Sequence, residues 1–325
     1  MSRIKCPRCG YSGSKIKSNG FTASGSKRWL CKRCHKSWSK LRRQHQLKRY
    51  CQQDLFHKWL LGATIRGLES SEGISRSHIH RILISELTRD VGWGEALRSC
   101  KYAALDGKFL FGRRYTVLIL FNTAINKPVA SRLMRSENRQ EITSFLLELK
   151  DQGFNPIAIT TDGKGVIAKC CQDVFPGIYA QRCLFHIILQ VNAWVRIPPR
   201  TNLGRELHNL VAGLIFIETK KEAIVFLNSY EAIKQHYSAE IKRLKEQGRT
   251  NRQAYDVTKC FTLLDNAKVD MFRFLKDKHI AKTTSGLEGF NKQIQKTKGF
   301  DHNGLTKEHL DRFIAHYIAL KNTLT

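Results

Sequence analysis

At 325 residues the chain has room for two or three domains and at least one full-sized core, and its formal net charge of +29 exceeds what solubility requires. No stretch approaches the roughly 20 apolar residues that a bilayer span needs, and no charged-then-apolar leader marks the N-terminus for export. Ten cysteines in such a chain predict a reducing cytoplasm, with thiols kept for metal or for the core.

The charge has a location. Residues 1–50 hold fifteen Lys or Arg and no Asp or Glu, which leaves +14 for the other 275 residues. In that basic stretch Cys6-Pro7-Arg8-Cys9 and Cys31-Lys32-Arg33-Cys34 form a C-x2-C-x21-C-x2-C pattern. A C-x-x-C turn aims both thiolates at one point, and two such turns complete the tetrahedral sulfur shell of one structural Zn²⁺. Four unrelated cysteines, or a redox C-x-x-C, is the competing reading. A zinc ribbon over residues 1–40 on this background predicts a polyanionic partner, with Arg28, Lys32, Arg33, Arg42 and Arg43 against phosphates. Ribosomal and chromatin proteins are as basic, but they rarely carry the apolar strand patterns found further along.

Residues 41–98 form a second region. A basic connector leads into a helical stretch from about Leu47 to Leu87. Within it Ala63 to Leu68 reads as a short helix, Glu72-Gly73-Ile74 as a turn, and Ser75 to Leu83 as a second helix. That is the spacing of a helix-turn-helix, whose second helix would present Arg76, Ser77, His80 and Arg81 to DNA. A helical hairpin that touches nothing fits the same pattern.

From Cys100 the period changes. Tyr102 to Leu105 reads as a strand ending in Asp106, followed by strands at Tyr115 to Phe121 and Lys127 to Leu133. Asn138-x-x-Glu141 starts a helix with an apolar stripe of Ile142, Phe145, Leu146 and Leu149, and Gly153 stops it. Ile157 to Thr161 is a strand ending in Asp162, Lys164 to Val174 a helix, Pro176-Gly177 a turn, and Ile178 to Gln181 a strand. Three strands, helix, strand, helix and strand is the order of the ribonuclease H-like α/β fold. Residues from about 198 to 280 read as an all-helical insertion, and a helix-rich segment follows from Ser285. The predicted third domain is thus residues 99–325. Cys51, Cys100, Cys170, Cys171 and Cys260 lack ligand spacing and read as buried thiols.

Asp106 and Asp162 each close a hydrophobic strand and are each followed by Gly-Lys. Paired carboxylates there suit two Mg²⁺ (or Mn²⁺) ions acting on a phosphodiester, with Lys108 and Lys164 near the phosphates. Either Asp alone is as readily a turn former. Glu288 is a candidate third carboxylate, but Ser285-x-x-Glu288 is also a capping box. Cys183-Leu184-Phe185-His186 is either half a metal site or a core thiol beside a hydrogen-bonded histidine.

Asp162-Gly163-Lys164-Gly165, then Val174-Phe175-Pro176, then Gln181-Arg182-Cys183-Leu184-Phe185-His186, resembles the core of Mutator-type transposases of bacterial insertion sequences. The resemblance runs from about Ala104 to Asn291, and the ribbon start resembles a variant branch. It implies a catalytic triad of Asp106, Asp162 and Glu288, and a helical insertion filling the 125 residues between the last two. It also places Cys183 and His186 near the active centre but outside the triad. Implied partners are double-stranded DNA, both terminal inverted repeats and target, and further copies of the chain. No membrane is expected, and the place of action is the bacterial cytoplasm, at the nucleoid. The rival expectations are a nuclease that cleaves without joining and a zinc-dependent DNA-binding regulator derived from a transposase. Glu206 and Glu218 are the next candidates should Glu288 be only a cap.

Overall fold

The computed structural model describes residues 4–22, 25–39, 44–110, 114–163, 165–247, 252–296 and 305–323, with the backbone alone at 44–51, 252–254, 295, 296 and 323. Predicted contacts Arg42, Arg43 and Lys164, and the side chain of Cys51, lie outside the described residues. Two compact units result, Met1–Lys58 and Trp59–Thr325.

The smaller unit contains a three-stranded antiparallel sheet of β1 (Ile16–Phe21), β2 (Lys27–Cys31) and β3 (Ser37–Ser39). Among the described residues of 4–39 only Cys6 and Cys31 are buried, so an apolar core cannot account for the folding of this sheet. Helix α1 (Gln44–Leu60) follows.

The larger unit is mixed α/β. Helices α2 (Ile65–Glu72) and α3 (Arg76–Leu87) are joined through Gly73. The Thr64 hydroxyl caps α2 by accepting from the Gly67 amide at 3.0 Å. Gly73 ends α2 with φ 63°, a left-handed conformation that costs glycine nothing. Ile79, Ile82, Leu83 and Leu87 bury one face of α3. A short helix α4 (Gly94–Arg98) leads to the sheet.

That sheet has five strands in the order β6-β5-β4-β7-β8. Strands β4 (Tyr102–Leu110), β5 (Tyr115–Asn122) and β6 (Lys127–Met134) form an antiparallel meander. Strands β7 (Ala158–Thr161) and β8 (Tyr179–Arg182) continue it in parallel from β4. β4 runs five residues beyond the predicted end at Leu105. Its antiparallel partner β5 keeps hydrogen-bonding it out to Leu110, whereas its parallel partner β7 stops at the Leu105–Thr161 pair.

Helices α5 (Arg139–Asp151) and α6 (Gly165–Val174) cover one face of the sheet. Asn138 caps α5 by accepting from the Glu141 amide at 2.8 Å, and Ile142, Phe145, Leu146 and Leu149 are all buried as the stripe predicts. Cys170 and Cys171 join them in that core, and Cys100 lies in it too. Burial pushes the thiols of Cys100, Cys171 and Cys260 up to about 12, as inert core residues.

A second core lies in the helical region: α7 (Leu184–Val195), α8 (Asn202–Ala212), α9 (Lys220–His236), α10 (Ser238–Gln247) and α11 (Arg252–Ala267). Helix α7, ahead of the predicted start near residue 198, supplies Leu184, Ile187, Val191 and Val195 to it. The chain then returns to the sheet through α12 (Ser285–Lys296), packed on β4 and β6, and α13 (Lys307–Thr323), packed on β6 and α3.

Candidate active site and cysteine cluster

All four cysteine sulfurs of the small unit lie within 4.8 Å of one another. Cys6 and Cys34 are 3.5 Å apart, Cys9 and Cys31 3.8 Å. A tetrahedron with Zn–S bonds of about 2.3 Å has sulfur edges of roughly 3.8 Å, so the donor set fits zinc in both type and spacing. Burial opposes ionisation of Cys6, but the amides of Cys9 and Arg8 and the neighbouring sulfurs outweigh it and lower that thiol to about 6. At Cys34 the Lys36 amide favours the thiolate, yet burial and the same sulfurs push the thiol up to about 11. Four thiols cannot all ionise in so small a space without a cation. Cys31→Ser is expected to release this zinc and unfold the small unit while the larger unit keeps its own melting transition. Metal analysis of unmodified protein purified without chelator checks the site, and a total below about half an equivalent contradicts it.

In the larger unit, Asp106 and Asp162 each stand one position past the Leu105–Thr161 pair, the last register pair between parallel strands β4 and β7. They are therefore neighbours across adjacent strands, roughly 5 Å apart at Cα. Alternation along β4 turns Leu105 into the core under α5 and α6. Asp106 and Lys108 consequently face the other way, towards α12. Asp106 is buried and Asp162 half-buried. Gly163 follows with φ 83°, and the Arg182 side chain crosses it so closely that a Cβ there would sit 2.9 Å from the guanidinium.

Glu288 lies in the first turn of α12. The capping-box reading fails on geometry. The helix begins at Ser285, and the Ser285 amide points to the Thr283 hydroxyl at 3.5 Å. The Glu288 carboxylate instead accepts from the Thr284 hydroxyl at 3.2 Å and lies 3.8 Å from His186 Nδ1. The Cys183 sulfur beside His186, together with Asp106 and Glu288, outweighs the burial that opposes its charge and raises the imidazole to about 9. Asp106, His186 and Glu288 thus share one electrostatic neighbourhood. Glu206 and Glu218 are engaged elsewhere, with the Tyr237 hydroxyl at 3.1 Å and Lys282 Nζ at 2.6 Å.

The 181–186 string holds this neighbourhood together. Buried Gln181 donates to the Met271 carbonyl at 2.8 Å and accepts from the Phe274 amide at 3.2 Å. Arg182 grips Asp270 with two hydrogen bonds of 2.9 and 3.1 Å. Cys183 Sγ accepts from the Thr284 amide at 3.3 Å. The Leu184 amide donates to the Lys282 carbonyl at 2.9 Å, and the Thr160 hydroxyl to the Ala281 carbonyl at 2.8 Å. Together these bonds sew residues 270–284 to the ends of β7 and β8, which fixes where α12 starts and where Glu288 lies. Asp270 and Thr284 gave no local signal in the sequence, because their partners are 88 and 101 residues away.

Residues 128–302 match the family model described as Transposase, Mutator family. This is more than half of the chain. The chain belongs to the Mutator family of transposases. The matched stretch holds Asp162, the 181–186 string and Glu288, and starts after Asp106. No curated protein matches the chain.

A transposase acts on DNA, and seven of the predicted contact residues lie where a polyanion can reach them. Arg28, Lys32 and Arg33 are exposed on the small unit, with Arg33 over the Tyr11 ring at 5.7 Å. Arg76, Ser77, His80 and Arg81 form the exposed face of α3, opposite its buried stripe. Arg76 is ion-paired with Glu69 of α2, so a phosphate would have to compete for it. Among the described residues no helix is long and apolar enough to cross a membrane.

Proposed function

We propose that this transposase binds the terminal inverted repeats of its own insertion sequence and performs metal-dependent strand cleavage followed by strand transfer into target DNA. In the first step water attacks the scissile phosphorus and the 3′-oxygen leaves; in the second that 3′-hydroxyl attacks a target phosphorus and displaces the target's 3′-oxygen. The observation that carries the reading is the neighbouring placement of Asp106 and Asp162, each one position past the last pair of two adjacent parallel strands in a five-stranded mixed sheet, with Glu288 in the first turn of α12, a helix packed on β4. This is the arrangement expected of a ribonuclease H-like domain with a helical insertion. Three carboxylates are hard oxygen donors, the ligand type that Mg²⁺ prefers, so the residues fit the ion. A bound Mg²⁺ pair would polarise the phosphodiester and stabilise the oxygens that enter and leave.

The chain's own groups do the rest. Lys108 shares the face of Asp106 and would meet a phosphate. Lys164, directly after Gly163 in sequence, is assigned the same task. The cysteine cluster is read as a zinc ribbon and the α2–α3 pair as a helix-turn-helix, which together would hold the end sequence. Several chains would assemble on the paired ends.

The experiment is incubation of the full chain with duplex DNA carrying the repeats that flank its gene, with and without Mg²⁺ or Mn²⁺. Cleavage at the repeat boundary and joined products support the reading; cleavage without joining would leave a nuclease, and binding alone a regulator. Binding itself is expected to be largely electrostatic. With about six phosphates neutralised, log affinity falls against log salt with a slope of about −5, and a nearly flat response would refute the basic face.

A further inference from the structure

Two groups of metal-ligating side chains come together among the described residues: the four ribbon cysteines, and Cys183, His186 and Glu288. Nothing in the cleavage reading uses the thiol or the imidazole. The three ligand atoms all lie within 4.8 Å of one another. The Thr284 hydroxyl is 3.4 Å from Cys183 Sγ, 3.5 Å from His186 Nδ1 and 3.2 Å from Glu288 Oε1, so the three converge on one small volume. In a tetrahedral site with bonds of about 2.0–2.3 Å, neighbouring ligand atoms stand roughly 3.3–3.5 Å apart. The observed 3.8 Å between His186 and Glu288 needs only a slight closure.

The donors differ in rigidity and access. Cys183 is buried, and its sulfur is fixed by the Thr284 amide. His186 and Glu288 are 28% and 22% exposed, which leaves an approach for an ion and room for a water as fourth ligand. Thiolate, imidazole and carboxylate select a Zn²⁺-class ion, whereas Mg²⁺ avoids sulfur. Glu288 is therefore claimed from two sides, by a hard ion held with Asp106 and by a softer ion held with Cys183 and His186.

We propose that Cys183, His186 and Glu288 form a second, Zn²⁺-class site, separate from the ribbon, and that its occupation withdraws Glu288 from the Mg²⁺ pair and arrests cleavage. The inhibitory half rests on the cleavage role proposed for Glu288; the binding half does not. Loading closes Cys183 Sγ, His186 Nδ1 and Glu288 Oε1 around the ion, displacing the protons of the thiol and the imidazole to solvent.

The test uses the full chain equilibrated with Zn²⁺ and then desalted. Two equivalents are expected in the unmodified protein, and one each in Cys183→Ser and His186→Gln. Cobalt substitution gives an independent readout: a sulfur-to-cobalt absorption band from this site remains in Cys31→Ser and disappears when Cys183→Ser is added. In Mg²⁺-dependent cleavage, each protein normalised to its own rate without zinc, the Zn²⁺ concentration for half inhibition rises at least 10–100-fold in the two site variants, the loss that even a supporting partner of a metal causes. One equivalent in the unmodified protein, or two retained in both variants, overturns the site. Should Cys183→Ser fail to fold, His186→Gln and the cobalt band decide. Zinc bound and lost as expected, with cleavage untouched by it, would keep the site and overturn the role of Glu288 in cleavage.

Discussion

Asp106→Asn and Asp162→Asn are each expected to abolish strand cleavage while binding to end DNA persists or tightens. Asparagine keeps the size and shape of aspartate, so the two parallel strand ends need not move. It loses the charge that a hard divalent ion requires, and the transition-state stabilisation such ions supply is worth several kcal/mol. That corresponds to a hundredfold or more in rate. Removing a carboxylate also removes repulsion towards phosphate, which is why binding does not suffer. Gel-resolved cleavage of end DNA, beside a binding titration on the same preparations, separates the two effects. Cleavage retained in both variants would defeat the transposition chemistry proposed for this site.

Glu288→Gln belongs to the same experiment. Among the described residues its carboxylate caps no backbone amide, and it meets the Thr284 hydroxyl and the His186 ring. Glutamine can still accept from Thr284, so the folded state changes little. If Glu288 is a ligand, cleavage is lost with the melting temperature almost unaltered; full activity would move the third carboxylate elsewhere.

Much of this arrangement is legible along the chain because it is local. The apolar stripe of α5 has a period that one helix dictates, and Asn138 announces its start. Gly73 marks the turn before α3 because few other residues adopt its backbone conformation cheaply. The cysteine pairs carry their own spacing. What the sequence leaves open is what depends on partners far along the chain. The continuation of β4 past Asp106 is imposed by β5, and nothing near Leu105 distinguishes a strand that stops from one that loses only one of its two neighbours. Ser285-x-x-Glu288 satisfies the local grammar of a capping box, yet Thr284 is held by Cys183 across the fold and the helix starts one residue earlier than the box requires. The family resemblance picks out Gln181 to His186 as a motif, but only the contacts to Asp270, Met271, Phe274 and Thr284 show that the string fixes the segment that leads into Glu288.

That last point carries the second large expected effect. Arg182 and Asp270 are 13% and 23% exposed and form a two-pronged pair. A fully buried pair that loses one member costs about 3–5 kcal/mol, and partial exposure brings this pair down to about 2 kcal/mol. Stability alone is the smaller consequence. Residues 270–284 carry α12, so a slack clamp lets Glu288 drift relative to Asp106, and displacement of a reacting group by about 1 Å costs roughly a hundredfold in rate. Arg182→Lys keeps the charge but not the fork, and Asp270→Asn keeps the shape but not the charge. Both are expected to lower cleavage per folded molecule ten- to a hundredfold, with affinity for end DNA unchanged and with a higher Mg²⁺ concentration needed for half-maximal rate. The Mg²⁺ requirement is the discriminating readout, because a merely structural pair would lower the folded fraction without moving it. A drop in melting temperature with an unaltered Mg²⁺ midpoint would reduce Arg182 and Asp270 to ordinary ballast in the fold, and the placement of Glu288 would then have to come from Cys183 and the Thr284 amide alone.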